Sequence, residues 1–467
     1  MPFPEKFVWG AASSAYQIEG AAREDGRGLS VWDVFCEKPD AIWQRHTGDV
    51  ACDHYHRYRE DVALMKEIGL QAYRFSIAWP RVLPEGVGRV NAPGLDFYQR
   101  LVDALLEAGI APYVTLFHWD FPHELFCRGG WLNRDSADWF EEYSTVVRDA
   151  LSDRVRNWMT FNEPNGVLWA GYEYGIHAPG LRLAKRDQLR IVHNILRAHS
   201  RSVAVLRGAG PEHRIGFVYA GTQVHVPLRD TPRHRAAAQR RMFGDRPRMA
   251  FSDAWWLDPV YLGHYPEGPE LEAHLPLMPE AWIEEAREIH QPLDFFGINT
   301  YRGFLVDVDD TEEPIDVPPP PGAPLVSASA DYFWPVTPEA LFWGPVFYYE
   351  RYRLPIMVTE NGMAGNDWVA LDGRVHDSQR IDFLDRYLDA YRRAGESGVD
   401  IRGYFLWSIL DNFEWNQGYK ERYGIVHVDY QTQRRTLKDS GLWYRDVIAG
   451  NGMPVTGGFP GTGRGVG

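Results

Sequence analysis

The feature that most constrains the fold of this 467-residue chain is a regular alternation of strand-like and helix-like segments. Short apolar runs typical of buried strands lie at 7–12, 71–77, 111–117, 156–162, 214–220, 293–299, 354–359 and 403–408. Segments with helical periodicity lie between them, at about 53–69, 93–109, 136–151, 187–208 and 378–394. We expect Asp53 to cap the first of these helices and Gly69 to end it. About eight strands that alternate with helices predict a parallel sheet with helical crossovers.

The even spacing of the strands favours one closed barrel. A (β/α)8 TIM barrel takes about 250 to more than 400 residues when its loops are extended. A doubly wound open sheet is the alternative, but no Gly-x-Gly-x-x-Gly or Walker-type loop follows the first strand. The Pro-rich segment 316–324 is interpreted as a loop inserted near the top of the barrel. We predict a single barrel domain over 1–455, with extended loops at its C-terminal face, and a Gly-rich tail over 456–467.

The charge and cysteine content narrow the range of partners. Lys and Arg total 49 against 64 for Asp and Glu, a net charge of -15, which argues against binding nucleic acid or an anionic membrane. No apolar run approaches the roughly 20 residues that a membrane helix needs, and no signal peptide is visible. Three cysteines are too few for a disulfide framework. We therefore expect a soluble, cytoplasmic protein with a small-molecule substrate, and we make no prediction of its oligomeric state.

Two glutamates follow two of the predicted strands. Glu163 comes directly after Asn162, where Pro164 interrupts a strand, and Glu360 comes directly after the run 354–359. In barrel enzymes the reacting groups lie at the C-terminal ends of the strands, so the two carboxyl groups are expected at one mouth.

Other polar and aromatic residues stand at strand ends in the same way. They are Arg74 on the second strand, His118 and Trp119 after the third, Asn299 and Tyr301 after the sixth, and Trp407 at the eighth. Any one of these residues alone is more simply explained as a capping or loop contact. Together with the two glutamates they suit a carbohydrate, because sugar hydroxyls need hydrogen-bonding partners and the apolar face of a pyranose stacks on Trp. Enzymes that hydrolyse glycosidic bonds usually use a pair of carboxyl groups.

No metal or other cofactor is predicted. Cys52, His54 and His56 lie close together in the sequence, but no second cluster completes a metal site, so we interpret them as structural residues at the start of a helix.

Several motifs in the same order resemble those of family 1 glycoside hydrolases, the β-glucosidase family, from Phe3 to about Ile448. The motifs are 7–12, 16–20, 25–28, 73–76, 116–120, 160–164, 359–362 and 407–415. The resemblance implies a (β/α)8 barrel with catalytic carboxyl groups after strands four and seven. It also implies hydrolysis with retention of the anomeric configuration.

By that resemblance Glu360 is the nucleophile and Glu163 the acid/base. A retaining pair is expected about 5 to 5.5 Å apart. Arg74 is expected to keep Glu360 ionised, and the charge of Glu360 is expected to raise the pKa of Glu163.

The resemblance also implies the residues that bind the sugar. Those predicted for the substrate-binding subsite are Gln17, His118, Trp119, Asn162, Asn299, Tyr301, Trp407, Glu414, Trp415 and Tyr423. Those predicted for the aglycone side are Trp169, His177 and Trp334. We expect a terminal non-reducing β-D-glucosyl residue as the substrate, on β-glucosides or short cello-oligosaccharides, with some tolerance for galactosides and fucosides.

Two alternatives are weighed against this function. Family members that act on 6-phosphorylated sugars carry a Ser and a Lys where this chain has Glu414 and Glu421, and two carboxylates repel a phosphate dianion. A non-catalytic glycan-binding barrel predicts the loss of one catalytic carboxyl group, yet Glu163 and Glu360 are both present. The thioglucosidase branch of the family lacks the acid/base, so Glu163 favours an O-glycoside.

Overall fold

The structure is a computed structural model that describes residues 2–221, 224–244, 252–279, 281–327 and 334–452. The predicted Gly-rich tail, 456–467, lies outside the described residues, so the division of the chain at 455 stays a prediction. Within the described residues, no helix combines the length and the apolar character that a membrane crossing requires.

Eight parallel strands close into a barrel in the described part of the chain. In chain order they are Val8–Ala12, Ala72–Ser76, Ala111–Phe117, Asn157–Asn162, Arg214–Ala220, Phe295–Asn299, Ile356–Asn361 and Ile401–Trp407. The first and eighth strands pair in register from Val8 with Gly403 to Ala12 with Trp407. This pairing leaves no open edge, so the predicted (β/α)8 barrel is confirmed and the open sheet is excluded.

Helices connect the strands and cover the barrel. The longer ones are His54–Ile68, Ala92–Glu107, Ser136–Leu151, Lys185–Arg207, Pro232–Phe243, Asp253–Tyr261, Ala281–Ile289, Ala340–Tyr352, Ser378–Glu396 and Asp439–Ala449. Their apolar residues recur at helical spacing: Ser136–Leu151 buries Phe140, Tyr143, Val147 and Leu151 on one face. Neighbouring helices also pack on one another around the barrel, as Ser136–Leu151 does on Lys185–Arg207.

Shorter helical segments lie mainly in the loops. They are Ala15–Ile18, Val31–Cys36, Trp43–Arg45, Trp79–Val82, His123–Cys127, Gly130–Leu132, Pro164–Gly166, Val167–Glu173, Pro269–His274, Leu275–Leu277 and Trp415–Gln417. Val167–Glu173 is a π-helix, a form that is often found at functional sites.

Some local predictions differ from the structure. The first long helix spans His54–Ile68 and Gly69 ends it in the left-handed region as predicted, but the Asp53 side chain makes no capping hydrogen bond. Asp53 is itself left-handed, and its carboxylate contacts His56 at 2.6 Å instead. The segment 316–324 is not wholly a loop, because its first residues belong to the strand Pro314–Val317.

Two small sheets lie beside the barrel and were not predicted. One joins His225–Pro227, Phe304–Val308 and Pro314–Val317, and the other pairs Val426–Asp429 with Arg434–Leu437. These strands have three to five residues, too few for a period-2 pattern to stand out in the sequence.

Candidate active site

A pocket of about 970 Å³, its open mouth included, lies at the carboxyl ends of the barrel strands. Most of the residues predicted for the site line it: His118, Trp119, Asn162, Glu163, Trp169, His177, Tyr301, Trp334, Glu360, Trp407, Glu414, Trp415 and Tyr423. The fold therefore brings together residues that are up to 305 positions apart in the chain, from His118 to Tyr423.

The other three predicted residues, Gln17, Arg74 and Asn299, are buried just behind the pocket wall. The Gln17 amide donates to the Phe413 carbonyl at 2.9 Å and to the Glu414 carboxylate at 3.3 Å. Gln17 thus supports the loop that carries Glu414. The role predicted for it, direct contact with the sugar, stays a prediction.

Glu360 is the penultimate residue of the seventh barrel strand, Ile356–Asn361, and strong donors hold its carboxylate. Arg74 donates to its Oε1 at 2.6 Å and Tyr301 donates to its Oε2 at 2.8 Å. Arg74 also donates to the Thr359 carbonyl at 3.1 Å and to Asn162 Oδ1 at 2.5 Å. These contacts fix the Glu360 carboxylate in one orientation and stabilise its ionised form.

Glu163 has a different setting. Its backbone is left-handed, with φ 45° and ψ 57°, at the turn between the fourth barrel strand and the helix that starts at Pro164. Non-Gly residues pay a cost in this region and persist there mainly at functional sites. Its carboxyl group accepts one hydrogen bond from Asn299, at 2.8 Å. Trp119 and Trp415, also on the pocket wall, have positive φ as well.

The surroundings of the two carboxyl groups set different pKa values. Burial, and then the charge of Glu360, raise the pKa of Glu163 to about 8, against smaller opposing effects of Asn299 and Arg74. Burial also raises the pKa of Glu360, but Arg74, Tyr301 and Asn299 lower it by favouring the charged form. Because the cation and the Tyr301 hydroxyl contact Glu360, the proton that the pair shares at neutral pH resides on Glu163.

A row of aromatic residues forms the floor of the pocket beside this pair. The rings of His118 and Trp407 stack with centroids 5.8 Å apart, and those of Trp119 and Trp415 stack at 4.7 Å. Burial and the charge of Arg74 lower the pKa of His118 well below its ordinary value, so this imidazole is neutral. The Asn162 amide donates to His118 Nε2 at 3.1 Å, which assigns the ring proton to Nδ1.

Two further glutamates, Glu414 and Glu421, lie on the pocket wall. Burial, and then the charges of Glu421, Glu360 and Glu163, raise the pKa of Glu414 well above its ordinary value. A concentration of carboxyl groups disfavours any anionic ligand at this end of the pocket and offers acceptors to hydroxyl groups.

The segment that follows Trp407 and carries Glu414 and Trp415 is anchored by buried ion pairs. Asp411 accepts from Arg422 and from Lys438, both at 2.7 Å, and from the Gly424 amide at 3.0 Å. Lys438 also contacts Asp367 at 2.5 Å. Each of these charges therefore has a partner, and removing one partner would leave the other as an uncompensated buried charge.

The three residues predicted for the aglycone side also reach the pocket. His177 contacts Asn416 at 3.0 Å, and burial lowers its pKa to about 4, so it is neutral. The rings of Trp334 and Tyr301 lie 5.7 Å apart, and the rings of Trp169 and Tyr174 also lie 5.7 Å apart.

Sequence reasoning missed four lining residues: Asn165, Gly166, Ala220 and Arg302. Asn165 and Ala220 hydrogen-bond to each other through side chain and backbone, at 3.2 and 3.3 Å, a contact that no local pattern predicts. Arg302 follows Tyr301 directly, so its position shortly after the sixth barrel strand is a sequence signal for a place at the barrel mouth. Glu421 lines the pocket as well, and its sequence signal is the carboxylate that stands where 6-phosphoglycosidases carry a Ser or a Lys.

The barrel mouth holds two unequally ionised glutamates in a pocket lined by aromatic and hydrogen-bonding side chains. This combination defines a glycoside hydrolase. The model of glycosyl hydrolase family 1 matches residues 1–453. The chain belongs to glycosyl hydrolase family 1 and acts on O-glycosyl bonds, as the motifs predicted.

Individual relatives cover nearly the whole chain. Beta-glucosidase A of Thermotoga maritima is 44% identical over 97% of this chain and 98% of its own length. A beta-glucosidase of Agrobacterium sp. is 42% identical over 96% of this chain and 95% of its own. The structure of the Thermotoga maritima beta-glucosidase in complex with glucoimidazole aligns with a TM-score of 0.87 at 44% identity, covering 97% of this chain and 100% of that one.

Proposed function

We propose that this protein is a retaining β-glucosidase that removes terminal non-reducing β-D-glucosyl residues from β-glucosides and short cello-oligosaccharides. The observation that carries the proposal is the unequal carboxyl pair: Glu360 is fixed by Arg74 and Tyr301, whereas the pKa of Glu163 is raised to about 8. The names of the two bacterial relatives, both beta-glucosidases, support glucose as the preferred sugar.

In the first step, Glu360 attacks the anomeric carbon while Glu163 gives its proton to the departing glycosidic oxygen. The negative charge of Glu360 disappears when its oxygen becomes part of the glycosyl ester. The main electrostatic cause of the raised pKa of Glu163 is then removed, and its carboxylate becomes the base that takes a proton from the attacking water. Two displacements at one carbon leave the anomeric configuration unchanged. The cycle uses no metal or other cofactor.

We also propose sugar-binding roles for residues in and directly behind the same pocket. We assign Asn162 to the 2-hydroxyl, because Arg74 and Asn299 both donate to its oxygen and leave its orientation fixed. The remaining hydroxyl contacts are assigned to Gln17, His118, Trp119, Glu414, Trp415 and Tyr423. Trp407 is assigned as the stacking surface, and Trp169, His177 and Trp334 as the aglycone wall.

The function is tested with p-nitrophenyl glycosides and cellobiose. We expect turnover of the β-glucoside and lower but measurable turnover of the β-galactoside and β-fucoside. For the 6-phospho-β-glucoside, kcat/KM should be at least about 100-fold lower than for the β-glucoside, because Glu414 and Glu421 repel the phosphate. Proton NMR during the first minutes should show β-glucose as the initial product. Inversion, or no turnover of any β-glycoside, contradicts the proposal.

The pH dependence of kcat/KM for cellobiose gives a further prediction. Glu163 must carry its proton when the free enzyme meets the substrate, so kcat/KM is expected to fall as the pH rises through about 8, the pKa of that group. Ionisation of Glu360 sets the acidic limb. Glu163→Gln should lose the basic limb, since it has no proton to lose. A wild-type profile that stays level to about pH 10 would count against Glu163 as the acid.

We also place the protein in the cytoplasm. Cys36, Cys52 and Cys127 are free thiols, and this supports a reducing compartment.

A further inference from the structure

Lys438 is a buried cation that contacts two carboxylates. It immediately precedes the helix Asp439–Ala449, and its side chain is fully shielded from solvent. Its ammonium group donates to the Asp367 carboxylate at 2.5 Å and to the Asp411 carboxylate at 2.7 Å. Burial of a charge is costly unless partners compensate it, so these two contacts determine where the ammonium group lies.

The two carboxylates belong to different loops at the mouth of the barrel. Asp367 lies on the loop that follows the seventh barrel strand, and that strand contains Glu360. Asp411 lies on the segment that follows the eighth barrel strand. Parallel strands in a barrel bring the segments that follow them to the same face. The ammonium group of Lys438 therefore joins two neighbouring parts of the barrel mouth.

Asp411 also closes the base of a loop that carries Glu414. Residues 412–423 form this loop, which we call the Glu414 loop. The Asp411 carboxylate accepts a hydrogen bond from the Arg422 guanidinium at 2.7 Å and another from the Gly424 amide at 3.0 Å. The two ends of the Glu414 loop are therefore joined through one carboxylate.

Arg380 joins the same two parts of the mouth beside Lys438. It donates to the Asp367 carboxylate at 2.7 Å and to the Arg422 carbonyl at 2.7 Å. The Gly365 amide also donates to the Arg422 carbonyl, at 2.9 Å. The Glu414 loop and the loop after the seventh strand are therefore in direct contact, and buried cations balance the carboxylates at this contact.

Lys438 lies behind the pocket rather than on its wall. Lys438, Asp367 and Asp411 are not among the described residues that line the pocket. An effect of Lys438 on the reaction must therefore pass through the loops that it contacts. Glu360 lies within a barrel strand and has two donors of its own, whereas Glu414 lies on a loop whose base is held by ion pairs. The Glu414 loop is thus the part of the site that depends most on Lys438.

We propose that Lys438 is a positioning residue for sugar binding: its ammonium group holds the Glu414 loop against the loop that follows Glu360. This inference rests on the proposed β-glucosidase function, in which Glu414 binds sugar hydroxyl groups. A hydrogen bond weakens steeply when its geometry is lost, so a displaced Glu414 loop binds the sugar less tightly. Because this contact acts on the bound substrate and on the transition state alike, its loss raises KM and leaves kcat nearly unchanged.

Lys438→Met tests this role, because it keeps the length of the side chain and removes the charge. We expect KM for p-nitrophenyl β-D-glucoside to rise about tenfold or more, while kcat stays within about threefold of the wild type. Steady-state rates measure both quantities. An unchanged KM in the folded variant overturns the proposal.

A double-mutant cycle shows whether Lys438 acts through Glu414. Lys438→Met is made in the wild type and in Glu414→Ala, and the factor by which it lowers kcat/KM is compared between the two. We expect a factor below about two in the Glu414→Ala background, because the contact that Lys438 positions is already absent there. Equal factors in both backgrounds overturn the proposal, since Lys438 would then act independently of Glu414.

Arg351→Met is the matched control for a general loss of stability. Arg351 donates to the buried Asp258 carboxylate at 2.5 and 2.9 Å, and both residues lie outside the described lining of the pocket. This substitution likewise takes a cation from a buried carboxylate, so it should lower the melting temperature. It should keep the wild-type KM. A rise in KM as large as that of Lys438→Met would trace the effect to lost stability and overturn the proposal.

Asp367→Asn decides the question if Lys438→Met does not fold, as judged by circular dichroism. It keeps the shape of the side chain and removes the charge that attracts Lys438 from the loop after Glu360. We expect KM to rise about threefold or more, and an unchanged KM overturns the proposal. Failure of the wild type to hydrolyse p-nitrophenyl β-D-glucoside points to the proposed function instead.

Discussion

Glu360→Ala is expected to lower kcat/KM for p-nitrophenyl β-D-glucoside by about 10⁴-fold or more, while leaving the fold intact. The substitution removes the atom that forms the glycosyl-enzyme bond and leaves Arg74 and Tyr301 with no carboxylate between them. Transition-state stabilisation at the anomeric carbon is lost with it. Steady-state rates, with a circular dichroism melt to check folding, measure the effect.

The same variant offers a stereochemical result. The space left by the carboxylate lies on the face of the sugar opposite the leaving group. Added azide is therefore expected to attack the anomeric carbon from that face and give α-glucosyl azide. Glu67→Ala is a suitable control because Glu67 is exposed on the helix His54–Ile68 and lies outside the pocket. Activity of Glu360→Ala within tenfold of the wild type would mean that another group is the nucleophile.

Glu163→Ala is expected to have an effect that depends on the leaving group. For cellobiose, whose leaving oxygen needs a proton, kcat/KM should fall by about 10² to 10⁴-fold. For 2,4-dinitrophenyl β-D-glucoside, whose leaving group departs without a proton, the formation of the glycosyl-enzyme should be much less affected, and hydrolysis of that intermediate becomes limiting.

Azide distinguishes this role from a structural one. With Glu163 absent, azide enters where the activated water stood and should give β-glucosyl azide, the opposite anomer to that expected from Glu360→Ala. Product identity is read by NMR, and the leaving-group dependence from a series of aryl glucosides. If Glu163→Ala shows neither rate loss nor azide product, Glu163 has no part in the mechanism.

The barrel strands could be predicted from the sequence because each contains a short apolar run, and helical segments separate these runs. Ala111–Phe117 and Arg214–Ala220 have the predicted bounds, and the other six strands differ by one or two residues at their ends. The convergence of Glu163 and Glu360 on one pocket also follows from the pattern, since parallel strands in a barrel bring their carboxyl ends to one face.

The contacts that distinguish the two glutamates could not be predicted in the same way. Whether Tyr301 and Arg74 contact one carboxylate or the other depends on side-chain direction across the barrel, which strand spacing does not encode. Asn299 is an example, because its amide donates to both Asn162 and Glu163. Gln17 is another, since its burial beneath Glu414 depends on a loop about 400 positions away.

The pairing of the first barrel strand with the eighth also governs when the protein becomes active during its synthesis. Gln17 leaves the ribosome early, whereas its partners Phe413 and Glu414 are made near the end, and Tyr444 hydrogen-bonds the Gly10 carbonyl at 2.8 Å. A nascent chain shorter than about 410 residues therefore has an unclosed sheet and an incomplete sugar site. Until then, the strand Val8–Ala12 pairs on one side only, with Ala72–Ser76, and its other edge stays open to pairing with another chain.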